Sequence, residues 1–224
     1  MRKFIVFLAI TALVQSAFAA DKPELDNQIR NLTLKFEAMQ GKPDKRVPAD
    51  VLKKARGIIL LDRTKAGFIF AYQGGSGVAM VREGNSEKWS APAFLSANEA
   101  SLGFQVGGQQ SFVVILLMTT NATHQLTQSK IDFGGEARGT AGDSSEGAEG
   151  SVSSGDQSVL VYTDREGLYG GAAIKGGAIA PNNDADVAYY GQAVTTGEIL
   201  FEHKVKPTEA ATQLADKINK FSKQ

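Results

Sequence analysis

Lys53–Pro92, KKARGIILLDRTKAGFIFAYQGGSGVAMVREGNSEKWSAP, is the stretch whose reading decides the fold. Gly57–Leu61, Gly67–Tyr72 and Gly77–Val81 are short apolar runs, β-branched or aromatic and bounded by turn residues, which predicts three strands. Between the last two lies Gly74-Gly75-Ser76-Gly77, whose glycine density implies positive φ or close backbone approach and predicts a tight strand connection. Bare amides there offer an anion-binding nest. No Lys-Ser or Lys-Thr follows and Val78 continues a strand, so the run is not a nucleotide phosphate loop. Trp89, Phe68, Phe70 and Tyr72 fall at strand spacing and read as core.

Before this stretch, Glu24–Gln40 has helical periodicity. Leu25, Ile29, Leu32, Phe36 and Met39 share one face, and Gly41 and Pro43 end the helix. That face either packs on a core or enters a membrane surface. The polar face, with Glu24, Asp26, Arg30, Lys35 and Glu37, is mixed in charge. Pro48 opens a second helix, Ala49–Arg56, with Asp50 in its first turn and Lys53, Lys54 and Arg56 in its last, where they suit the helix dipole.

Downstream, Phe94-Leu95, Leu102–Val106, Ile131–Phe133, Val159–Thr163, Leu168–Ile174 and Gly177–Ala180 read as strands. Phe112–Met118 is the most continuous apolar run and suits a central strand buried on both faces. Thr119–Gln128 reads as a short helix, and Asp164–Gly167 and Asn182-Asn183-Asp184 as turns. Gly139–Gly155 is rich in Gly, Ser and Glu and lacks apolar periodicity, as a solvated loop or hairpin tip would. Thr195 or Thr196 caps a short helix carrying Ile199, Leu200 and Phe201. Glu209–Phe221 repeats helical spacing through Ala210, Leu214, Ile218 and Phe221. The expected fold class is α+β: a single domain over 24–223, with a curved, mainly antiparallel sheet or barrel-like core and helices at both ends.

Residues 1–19 read as an export signal, with Arg2 and Lys3, an apolar core Phe4–Val14 and the cleavage motif Ala17-Phe18-Ala19. The chain has no cysteine, so burial alone must hold the fold, and a lipoprotein route, which needs a cysteine at the cleavage point, is excluded. The expected location is periplasmic or secreted, peripherally associated with a membrane.

The 24 Lys and Arg balance 24 Asp and Glu, which argues against nonspecific nucleic-acid binding. The charge is unevenly placed, however. Gly41–Lys65 carries eight cations (Lys42, Lys45, Arg46, Lys53, Lys54, Arg56, Arg63, Lys65) against Asp44, Asp50 and Asp62; residues 132–156 carry six acids against Arg138.

Catalysis has no signature. The two histidines, His124 and His203, do not form a helical metal pair, and no G-x-S-x-G elbow occurs. Asp143, Glu146 and Glu149 lack the spacing of a calcium loop. No metal or cofactor is expected.

Taken in order, Ala55-Arg56-Gly57-Ile58, Lys65-Ala66-Gly67-Phe68, Gly74-Gly75-Ser76-Gly77-Val78 and Trp89-Ser90-Ala91-Pro92 resemble the SYLF domain. The likeness continues through Gly103–Gly108, Phe112–Met118, Leu168-Tyr169-Gly170-Gly171 and Tyr189-Tyr190-Gly191, over nearly the whole chain after the export signal. The resemblance implies recognition of anionic lipid, phosphoinositides in eukaryotic relatives, through an amphipathic N-terminal helix and adjacent basic residues. On this chain those are Leu25, Ile29, Leu32, Phe36 and Met39, with Lys53, Lys54 and Arg56. Lys42, Lys45, Arg46, Arg63 and Lys65 are added from charge density. The alternative partner that the resemblance implies is actin or an actin regulator.

Overall fold

Gly57–Gly67 (β1) is the middle strand of the sheet. Its run Ile58-Ile59-Leu60-Leu61 is buried throughout because both faces of the sheet are covered. The computed structural model describes residues 20–67, 70–84, 86–102, 109–131, 158–164, 167–168 and 178–224. The export segment 1–19, the strand segments 103–106, 132–133 and 169–174, and the acidic stretch 139–155 lie outside the described residues.

β1 pairs antiparallel with Phe70–Val81 (β2) on one side and Gln109–Leu117 (β4) on the other. Ala93–Leu102 (β3), Val159–Thr163 (β5), Gly167–Leu168 (β6) and Ala178–Pro181 (β7) complete the antiparallel order β6-β5-β4-β1-β2-β3-β7. Successive side chains of β1 go to opposite layers. Ile58 and Leu60 meet the helices Lys22–Gln40 (α1), Ala49–Lys54 (α2), Asn183–Tyr190 (α4) and Glu209–Phe221 (α6). Ile59 and Leu61 meet the layer holding Thr120–His124 (α3), its 3-10 extension Gln125–Thr127, and Thr196–Leu200 (α5). The fold is α+β, with the first and last helices packed together.

The expected connection at Gly74–Gly77 is corrected. These residues lie inside β2, paired to β1 and β3, and β1 and β2 are joined across 68–69 instead. The glycines permit close approach: a Cβ on Gly77 would lie 2.0 Å from the Leu60 carbonyl oxygen, and one on Gly75 would lie 2.7 Å from that of Asp62. Strand pairing on both sides also engages the backbone that a nest would need.

Asn182-Asn183-Asp184 is not an isolated turn. The Asn182 side chain accepts from the Ala185 amide at 3.2 Å and starts α4, which Gly191 ends with φ 68°. Helix α1 starts at the Asp21 cap, whose carboxylate accepts from the Glu24 amide at 2.9 Å. It packs along α6 with Phe36 edge-on to Phe221 (5.8 Å) and with the ion pair of Glu37 and Lys217. No described helix is long and apolar enough to cross a membrane.

Candidate functional site

Helix α2 is six residues long and delivers Lys53 and Lys54 in its last turn. Two backbone bonds then fix the next residues against the strand ends: the Arg56 amide donates to the Leu117 carbonyl at 2.8 Å, and the Arg82 amide to the Arg56 carbonyl at 2.8 Å. Arg56 is thereby held between the ends of β2 and β4.

Arg82 closes the arrangement. Its Nε donates to the Ala55 carbonyl at 3.1 Å and its Nη2 to the Leu52 carbonyl at 3.3 Å, so the guanidinium caps the carbonyl end of α2. The same group lies 4.4 Å from the ring centre of Trp89. Burial lowers the Arg82 pKa, Glu87 opposes that shift, and Arg56 adds to it.

The β2–β3 loop is tied to α6. Trp89 Nε1 donates to Asn219 Oδ1 at 3.0 Å, and Asn219 Nδ2 donates to the Glu87 carbonyl at 2.8 Å. Lys223 Nζ reaches Glu87 Oε2 at 2.7 Å. Between α2, this loop and the end of α6 lies an open cleft of about 720 Å³, lined by Lys53, Lys54, Arg56, Arg82, Lys223 and one acid, Glu87. The hydrogen bond from Lys223, and the charges of Lys223, Arg82 and Lys53, hold the Glu87 carboxyl below its ordinary pKa against a smaller desolvation effect.

Of the eight cations expected to form one patch, the cleft gathers Lys53, Lys54 and Arg56. Arg63 lies seven residues along extended β1 from Arg56, about 23 Å at strand rise, and on the opposite sheet face from Asp62. It is 9% exposed. Lys65 lies further along the same strand. Lys42 lines a separate 190 Å³ cavity with Lys35, Asp62 and Asp164. Lys45 and Arg46 sit on the 41–47 loop and do not line the cleft. Charge density along the chain merged positions that an extended strand separates.

Leu25, Ile29, Leu32, Phe36 and Met39 are all at most 2% exposed. Of the two expectations for this face, packing on a core holds and contact with a membrane is corrected, because α6 and the sheet already cover it. Arg82, Glu87 and Lys223 were not singled out from sequence. Arg82 and Glu87 stand in the deciding stretch, but only the α6 contacts bring Lys223 beside them.

A second cavity of about 250 Å³ shares Arg56 and Arg82 with the first and is lined by both histidines. His203 Nδ1 lies 3.5 Å from Glu83 Oε1, and His124 stacks on Phe201 with ring centres 4.7 Å apart. Among the described residues no three His, Cys, Asp or Glu side chains form a metal-binding group.

Residues 98–221 match the family Ysc84, described as "Las17-binding protein actin regulator". The chain is 32% identical over 175 residues to LAS seventeen-binding protein 3 of Saccharomyces cerevisiae, which covers 76% of this chain and 38% of that one. It is 30% identical over 182 residues to SH3 domain-containing YSC84-like protein 1 of Mus musculus, covering 80% and 53%, and 30% identical to the Homo sapiens form over 170 residues, covering 75% and 49%. The chain thus spans about half or less of these curated relatives. No solved structure is a significant match.

Proposed function

We propose, from the premise that the chain belongs to the Ysc84 family of Las17-binding protein actin regulators, that it is a non-enzymatic module docking on anionic membrane surfaces through the cleft at the end of α2. The family consists generally of binding modules. The single observation that carries the reading is the convergence of Lys53, Lys54, Arg56, Arg82 and Lys223 around one carboxylate.

A basic residue beside an anionic membrane contributes about 1 kcal/mol. A net excess of four therefore supports reversible, salt-sensitive docking rather than permanent anchorage. Export by residues 1–19 to the periplasm or the cell exterior belongs to the same proposal, and such a protein would meet phospholipid before it met phosphoinositide.

Flotation with phosphatidylcholine vesicles, with and without phosphatidic acid, at low and high salt tests this. Binding confined to anionic vesicles, weakened by salt and abolished in the triple variant Lys53→Glu, Lys54→Glu, Arg56→Glu with its fold intact, is the expected result. Unchanged binding in that variant rejects the cleft as the docking site.

The family description favours a second reading, a protein-interaction module for actin or an actin regulator. Pelleting with actin filaments, together with no flotation under any condition, would establish it over the first.

A further inference from the structure

We infer that Glu87 occupies the place of the cleft's ligand: its carboxylate is an internal competitor that a phosphate monoester displaces, an inference that rests on the membrane-docking reading above.

Glu87 is the one acid among five cations lining the cleft, and Lys223 Nζ lies 2.7 Å from its Oε2. The backbone at Glu87 is pinned. Its carbonyl accepts from Asn219 Nδ2, Ser86 Oγ donates to the Glu83 carbonyl at 2.7 Å, and the Lys88 amide donates to Ser86 Oγ at 3.1 Å. The side chain is 64% exposed and can rotate into water without losing burial. An incoming anion can therefore displace the carboxylate without moving the loop. In the same cleft the Arg82 guanidinium is held by the Leu52 and Ala55 carbonyls and by Trp89, so its charge stays in place when Glu87 leaves. The direction in which Glu87 titrates agrees, since the same cations that favour its ionised form would act on any anion there.

Charge decides what can take its place. A phosphate monoester carries about −1.5 to −2 at neutral pH, against one charge for a carboxylate, and gains more from the same cations. A diester carries one charge and has two of its oxygens esterified, so it holds no such advantage over Glu87. A headgroup ending in a monoester displaces the carboxylate more readily than a diester does.

The test compares the wild-type chain with Glu87→Gln and Glu83→Gln. Glu83 pairs with Lys88 and lines the second cavity, so its replacement removes the same charge nearby without emptying the cleft. Inorganic phosphate and glycerol 3-phosphate are the soluble probes, read by calorimetry. Phosphatidylcholine vesicles carrying phosphatidic acid (monoester) or phosphatidylglycerol (diester) are the membrane probes.

Expected is tighter monoester binding by Glu87→Gln, about two- to fivefold as befits one exposed ion pair, with diester binding raised by the same factor because both anions displace the same carboxylate. Glu83→Gln should show neither. Equal gains in both variants, or no gain in Glu87→Gln, overturn the inference. If the wild type floats with vesicles through Lys53, Lys54 and Arg56 while Glu87→Gln behaves as wild type, only the competitor role falls. If no probe binds, both readings fall. Tighter binding of soluble phosphate without flotation keeps the competitor and rejects the membrane as its source.

Discussion

Trp89 and Asn219, 130 positions apart, are joined by a hydrogen bond from the indole Nε1 to the side-chain Oδ1 at 3.0 Å. Asn219 also donates to the Glu87 carbonyl, so one side chain fastens the β2–β3 loop to α6 and fixes the wall of the cleft. Asn219→Ala removes both bonds and leaves a buried indole N–H without its acceptor. It should cost about 1–3 kcal/mol in urea unfolding. Trp89 is the chain's single tryptophan, so its emission reports the site directly, and a red shift before global unfolding is the expected signature. An unchanged midpoint would mean that the loop is held by Arg82 alone.

Gly77 faces the Leu60 carbonyl so closely that a Cβ would lie 2.0 Å from its oxygen and 3.0 Å from its carbon, and backbone of a paired strand has little room to yield. Gly77→Ala should lower stability by about 3 kcal/mol or more or prevent folding. Gly41→Ala, where the nearest atom would be 3.6 Å away, should stay within about 1 kcal/mol of wild type. Thermal melts of the two separate a close approach inside a strand from a generic intolerance of alanine for glycine.

Phe36 is fully buried against Phe221, whereas Leu34 on the same helix is 62% exposed. Phe36→Ala should cost about 3–5 kcal/mol. Leu34→Glu should change stability by no more than about 0.5 kcal/mol and leave vesicle flotation intact, since α1 presents its apolar face to the core. Loss of flotation in Leu34→Glu at full stability would bring α1 back as the membrane contact.

Asp186 is fully buried, and desolvation raises its pKa to about 7 against the lowering effect of the hydrogen bond from the Phe94 amide at 2.8 Å. Its folded pKa exceeds its unfolded one, so the native state binds this proton more tightly. Stability from this group is full below about pH 4 and declines as pH rises to about 7, by at most about 4 kcal/mol. Asp186→Asn keeps an acceptor for the Phe94 amide and cannot ionise. The difference in urea midpoint between wild type and Asp186→Asn should therefore drift between pH 4 and 7 in the direction of a relatively less stable wild type. A pH-independent difference would show that Asp186 is charged in the fold throughout.

Amino-acid order alone determined the features that arise within a few residues. The spacing of Leu25, Ile29, Leu32, Phe36 and Met39 predicts α1, and the Ala210–Phe221 spacing predicts α6. The runs at Gly57–Leu61 and Phe112–Met118 predict strands, the second buried on both faces, and Lys53, Lys54 and Arg56 are the local signal for a basic site. Periodicity and capping are local physics, so they can be read without knowing what lies opposite. What lies opposite was decided by tertiary structure. Glycines that would make a turn in isolation lie inside β2, paired on both sides, where the missing Cβ of Gly77 and Gly75 admits the Leu60 and Asp62 carbonyls, and Asn182 caps a helix where its neighbours alone suggest a turn. The extended form of β1 separates Arg63 and Lys65 from Arg56, while packing of α6 brings Lys223 beside Glu87 and Arg82. Such proximities arise from burying apolar faces on both sides of one sheet, and only that packing determines which distant charges share a cleft.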